Sequence, residues 1–317
     1  MSDIDSVLER LRRVYAAIAE VEVVAANSPG DQYVLANLKS LKRDSEDLEK
    51  QWEEECRHAQ IEVCRYRIIP EDAHHYSLAS VSKSLLDFQE MFSQIFDAVK
   101  TGIKKRARIS ADIRAETQFD FGFTYPGSLG VALMVESESH FFGSKFDEAV
   151  KAISDIVSID DRDDVRDLAK SLGGAVVTKV YDWSRVNFGA GYGVDITWKR
   201  TDGTVRGGTI DATSLGKVVD LIARTSDSKK SEITAKGVLV GINIKTKRFR
   251  FVQHDGPDYS GKLGNDFPIT KKWSVNKNYI ADITIEEVTQ YATMDTNRSY
   301  KLARLKAIKL LDAKQKG

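Results

Sequence analysis

Ile4, Val7, Leu11, Val14, Ile18, Val21 and Ala25 recur at alternating spacings of three and four, with charged and small residues between them. That is the a/d pattern of a helix burying a narrow seam against another helix. A strand cannot use it, because strand faces repeat every second residue. Asn27-Ser28-Pro29-Gly30-Asp31 then stops the helix and turns the chain. Beyond the turn Leu38, Leu41, Leu48 and Trp52 continue a similar spacing, interrupted at Ser45. The sequence therefore predicts an antiparallel, coiled-coil-like helical hairpin over residues 3–26 and 31–58, assembling through Ile4, Leu11, Ile18, Leu38, Leu41, Leu48 and Trp52. Two helices cannot completely bury Val7, Leu8, Tyr15, Val24 and Trp52. A further apolar surface is required, from this chain or from a second copy.

The run Ile61–Ile69 is rich in β-formers and ends at Pro70, which predicts a strand. From Ser77 to Lys100, Leu78, Val81, Leu85, Phe88, Phe92, Ile95 and Val99 again fall three and four apart, with Gly102 as the exit. This long helix, 77–100, offers the hairpin an intramolecular partner and competes with a second copy for that role. Phe119, Phe121, Phe123 and Tyr125 alternate ahead of Pro126-Gly127-Ser128 and Leu129–Val135, the pattern of a β-hairpin. Helices are expected at 144–157, 160–172 and 174–187. A second hairpin follows, Gly191–Lys199 with Thr204–Ile210 around Asp202-Gly203, and then a helix capped by Asp211. Thr225–Ser231 (TSDSKKS) reads as a linker. Short β-like runs at Val238–Ile244, Lys247–Gln253, Tyr279–Ile285 and Ser299–Leu305 are joined by Gly- and Pro-containing loops, which predicts a small, bent, barrel-like sheet. The expected fold class is α+β in three parts: a helical hairpin or bundle over 1–58, a central antiparallel sheet with helices over 59–228, and a small β module over 229–317.

Hydrophobic residues at 42% and charged residues at 30% exclude a disordered chain. No apolar run approaches ~20 residues. The beginning, MSDIDSVLERLRR, lacks the apolar core of a secretory signal, so a cytoplasmic location without a membrane partner is expected. Cys56 and Cys64 are too few for a disulfide framework. Together with His58, His74 and His75 they form the densest group of possible metal ligands, but their spacing matches none of the paired patterns of zinc sites. No metal and no cofactor are expected. Arg67 and His74 are similar in spacing to a pair found in some RNA-cleaving helical domains, yet a strand end and Pro70 stand between them, so no catalytic pair is assigned. Gly189-Ala190-Gly191-Tyr192-Gly193 precedes a strand, whereas a phosphate cradle needs a following helix N-terminus. His140 and His254 stand alone.

Charge is distributed unevenly. Residues 229–317 hold eighteen Lys and Arg against nine Asp and Glu, so they carry +9 in a chain whose 47 basic and 47 acidic residues cancel. Such a module seeks an acidic partner, or it is drawn to the acidic remainder of the chain. Lys245, Lys247, Arg248 and Arg250 interleave with Phe249 and Phe251, and Lys271, Lys272 and Lys277 flank Trp273. On a strand the arginines and phenylalanines take opposite faces, giving an apolar inside and a basic stripe along which a phosphate backbone could lie. The leading expectation is a non-enzymatic binding and assembly protein: a homo-oligomer or protein partner through the helices, and nucleic acid or an acidic partner through the basic module. The alternative is an enzyme acting on nucleic acid through dispersed residues. A helical stem followed by globular modules is similar in general look to accessory subunits of bacterial or phage-encoded systems, for example defence systems.

Overall fold

The computed structural model describes residues 3–72, 76–104, 107–125, 129–136, 145–200 and 203–308. Among them are eight helices and two sheets, in two compact units, Met1–Thr225 and Ser226–Gly317. The chain is mixed α+β.

In the first unit the helices α1 (Asp3–Asn27) and α2 (Gln32–His58) form the N-terminal pair. Asp31 opens α2 by accepting the backbone N–H groups of Tyr33 at 2.9 Å and Val34 at 3.2 Å. There follow β1 (Ile61–Pro70), α3 (Leu78–Thr101), α4 (Ala111–Glu116), β2 (Asp120–Tyr125), β3 (Leu129–Glu136), α5 (Lys145–Val157), α6 (Arg162–Leu172), α7 (Gly174–Gly189), β4 (Tyr192–Lys199), β5 (Val205–Ile210) and α8 (Ala212–Ala223). The sheet order is β2-β3-β1-β4-β5, antiparallel throughout.

Alternation along β1 explains why the sheet needs cover on both sides. Val63 joins Phe123 and Ala132 on one side, where Val7, Leu8 and Leu11 of α1 and Leu48, Trp52 and Cys56 of α2 complete a buried cluster. Trp52 meets Phe123 edge-on at 5.1 Å and Tyr15 stacks on it at 5.5 Å. Arg12 donates to the Gly122 carbonyl, and Arg65 and Lys199 bind Glu53 at 2.9 and 2.6 Å, so polar links pin both helices to the sheet. Tyr66 points to the other side, where Phe88 and Phe92 of α3, Phe146 of α5 and Trp198 of β4 pack. The expectation of a bundle between the hairpin and the 77–100 helix is thus corrected: α3 packs on α5 and α7, and the sheet supplies the hairpin's third surface. The helical stripe of α3 was real, but β1 gave it a different surface to bury.

The second unit holds β6 (Ser226–Asn243), β7 (Arg248–Gln253), β8 (Asp258–Leu263), β9 (Lys277–Gln290) and β10 (Thr296–Ala307). Residues 226–231, expected as part of a linker, pair with 285–290 of β9. Their exposed polar side chains do not oppose a strand whose backbone is paired with β9 along this stretch. β8 was not anticipated, because Ser260 and Gly261 interrupt its apolar pattern. Pairing runs β10-β8-β7-β6-β9 and back to β10, with β8 and β10 parallel through Lys262↔Lys301 and Leu263↔Leu302 and the other neighbours antiparallel. Leu239, Phe249, Phe251, Tyr259, Leu263, Tyr279, Ile283 and Leu302 fill the inside.

Gly261 makes the β8–β10 seam possible: a Cβ there would lie 2.0 Å from the Tyr300 carbonyl oxygen. Gly261→Ala should therefore part the seam and cost about 3 kcal/mol or more in denaturant unfolding of the C-terminal unit. Gly256→Ala, whose Cβ would have atoms of the Gln253 side chain rather than backbone as its nearest neighbours, is the control. Equal stability of the two variants would show that the seam tolerates a side chain.

Candidate functional site

Strand direction decides which residues of the second unit meet. β6, β8 and β10 run one way, and β7 and β9 the other. The ends of the first three and the starts of the other two therefore share one end of the ring. Lys245 and Lys247 sit there in the β6–β7 turn, beside Arg248 and Lys262. Lys271, Lys272 and Lys277 reach the same end because Lys277 pairs with Leu239 and the Asn276 N–H donates to the Leu239 carbonyl at 2.7 Å. Arg304 and Lys306 of β10 join them, with Asp266 as the acidic residue of the same loops. Two basic groups far apart in sequence are thus neighbours in space.

The outer surface of the sheet continues the pattern. Arg248 pairs with Lys262, and Lys262 with Lys301, so three exposed cations lie in register across β7, β8 and β10. Lys301 is held by Glu286 at 3.0 Å, and that hydrogen bond keeps the Glu286 carboxyl below its ordinary range. Arg250 shares the outward side of β7 with Arg248 and lies 3.5 Å from Asp258. Among the described residues no carboxylate pairs with Lys245, Lys247, Arg248 or Lys262. The turn carrying Lys247 is held by Asn243, whose side-chain oxygen accepts the Thr246 N–H at 2.9 Å.

The aromatics face inward. Phe249 and Phe251 are buried, and Trp273 packs on Phe267 at 5.5 Å and Tyr279 at 6.0 Å. The Lys271 ammonium lies 4.8 Å from the Trp273 ring centre. What sequence reasoning missed was Lys262, Arg304 and Lys306. The alternation in Arg298–Lys306 was a usable signal, whereas nothing local marked Lys262 as the neighbour of Arg248.

The other sequence candidates are placed elsewhere. Leu11, Ile18, Leu48 and Trp52 are buried, while Ile4, Leu38 and Leu41 are half-buried. Arg67, expected near a strand end, lies inside β1, which continues to Pro70 opposite Tyr192. It binds Asp195 at 2.6 Å, and Thr209 donates to the second oxygen of that carboxylate at 3.1 Å. The arginine staples neighbouring strands. His74, His75 and His140 lie outside the described residues. Gly189 ends α7 and Gly191, at φ 67°, turns the chain into β4. Among the described residues no three His, Cys, Asp or Glu side chains gather as a metal site requires, and no helix is long and apolar enough to cross a membrane. No protein-family model, curated protein or solved structure matches this chain.

Cys56 and Cys64 are both buried. Burial, reinforced by Glu53 and Glu55, pushes the Cys56 thiol up to about 12, and burial alone pushes Cys64 well up. Thiolate, the nucleophile and ligand, is therefore scarce at neutral pH. At pH 8 a thiol reagent should modify the native protein more than about 100-fold more slowly than the denatured chain. Rapid stoichiometric labelling of native protein would show that these thiols are reachable.

Proposed function

We propose that the protein is a non-enzymatic binding and assembly protein whose C-terminal small β-barrel module docks on the phosphate backbone of duplex nucleic acid, while the helical hairpin mediates assembly. The observation that carries this reading is the meeting of Lys247, Arg248, Lys262 and Lys277 at one end of the ring, where among the described residues no ion pair holds any of them. Phosphates satisfy such cations and release the condensed counterions that drive binding. Duplex is favoured over single strands by the aromatic arrangement. Single-strand sites stack bases on open rings, but Trp273 packs on Phe267 and Tyr279 with Lys271 close by, and Phe249 and Phe251 face the core. A backbone-only contact reads no sequence.

A second reading has its own support. Ile244, Ile269, Val275 and Ile308 are 42%, 48%, 46% and 37% exposed at the same end. Aliphatic side chains serve a phosphate backbone poorly and would suit an acidic, amphipathic protein segment.

Duplex DNA of unrelated sequences should bind with similar affinity. Four phosphate contacts would give a slope of roughly −3 to −4 in log K against log salt. Replacing Lys247, Arg248 and Lys262 by Glu should reduce that slope to roughly −1 or less, and the module should stay folded because all three side chains are exposed. Ile244→Ser with Ile269→Ser should leave DNA binding intact, whereas an acidic peptide partner would be lost. No retardation of any duplex at low salt would remove the nucleic-acid reading.

A further inference from the structure

The sheet covers only the near half of the hairpin. No α1 residue after Ile18 is buried, and none of α2 before Ser45. Yet α1 does not become polar where its cover ends. From Val14 to Asn27 its only charges are Glu20 and Glu22, and the side turned away from α2 carries Ala16, Glu20 and Val23 at helical spacing. An unpartnered outward face is ordinarily charged, and a helix apolar on all sides is ordinarily enclosed. Here Val23 is 63% exposed, Val24 49%, Tyr33 90% and Leu35 44%.

α2 shows the opposite chemistry over the same length. Between Gln32 and Arg43 its charges are Lys39, Lys42 and Arg43. A surface hollow of about 510 Å³ lies along it, with Leu35 and Leu38 as its apolar floor and these three cations and Glu46 around it. Lys42 already binds Glu22 within the hairpin at 2.8 Å. Glu20, Lys39 and Arg43 are left for another partner, since among the described residues no ion pair joins them.

We propose that the hairpin tip docks on the tip of a second copy, α1 of each chain lying along the α2 hollow of the other, with Glu20 facing Lys39 and Arg43 and Val23 and Val24 covering Leu35 and Leu38. A tip with an acidic apolar helix beside a basic apolar hollow is complementary to itself under a two-fold axis. The product is a short four-helix bundle. A nucleic acid or an anionic bilayer would meet the carboxylates of α1 as well as the cations of α2. This inference rests on the assembly half of the function proposed above and is independent of the nucleic-acid half.

Sedimentation velocity on the full chain over a wide concentration range tests it. The wild type should dimerise. Lys39→Glu with Arg43→Glu should weaken the dimer by about tenfold or more, and adding Glu20→Lys to that variant should recover most of the loss. Val23→Ser with Leu35→Ser should weaken it comparably, with helix content unchanged in all variants because these side chains are exposed. A wild type that stays monomeric would overturn both the assembly reading and the tip contact. A dimer insensitive to these substitutions, or one not rescued by the charge exchange, would overturn the tip contact alone and place assembly on another surface.

Discussion

Each sheet of this chain has an apolar side that must leave water, and the two units meet that constraint differently. In the first, helices cover one side and the hairpin covers the other, with Trp52 and Phe123 at the centre of the second contact. In the second the strands pair around until β8 meets β10, and the apolar side lies within. What each unit shows to solvent is what its solution leaves over. The first leaves the far half of a helical pair uncovered. The second leaves an outer surface that packing does not constrain, so charge can accumulate on it.

That accumulation has a cost. Like charges directly opposite on neighbouring strands destabilise a sheet, and Arg248, Lys262 and Lys301 are three such neighbours in a row. Glu286 relieves Lys301, and Asp258 lies near Arg250. Arg248 and Lys262 have no comparable relief among the described residues. The turn nearby adds a smaller cost, since Lys247 holds φ 52° without being glycine, a conformation unfavourable by about 1 kcal/mol for a residue with a side chain. These neighbouring features each oppose folding at one end of one small sheet, and on the proposed reading a bound phosphate backbone would offset the charge repulsion among them.

Local patterns in the sequence were legible where a single element decides them. The 3/4 spacing from Ile4 to Ala25, the Asp31 cap and the Arg248–Phe251 alternation each depend on their own neighbours, and each corresponds to what α1, α2 and β7 show. Failures came where a second element decides. The apolar stripe of α3 could not name its partner, because the choice between hairpin and sheet depends on Val63 and Tyr66 pointing opposite ways on a strand buried on both sides. Ser226–Ser231 read as a linker because polar residues in a strand with solvent around them look like a loop until β9 is beside them. Lys262 was invisible as a neighbour of Arg248 for the same reason. The register that joins them exists only after β8 has found both β7 and β10.

If both proposed contacts form, mass action would couple them. A pair of chains joined at their hairpin tips carries two basic rings. On a polyanion long enough to reach both, the second ring binds at an effective concentration set by the connection rather than by the bulk solution. Linkage is reciprocal, so a polyanion that gathers two rings strengthens tip pairing by the same factor by which pairing strengthens its own binding. Neither contact then has to be strong alone. The tip relies on a few aliphatic side chains and on exposed charges, each of the latter contributing on the order of 1 kcal/mol or less, and the ring relies on counterion release that added salt removes. Weak contacts of these two kinds, if coupled, would give an assembly that forms only where chain concentration and polyanion length are both sufficient, and that added salt weakens at both contacts.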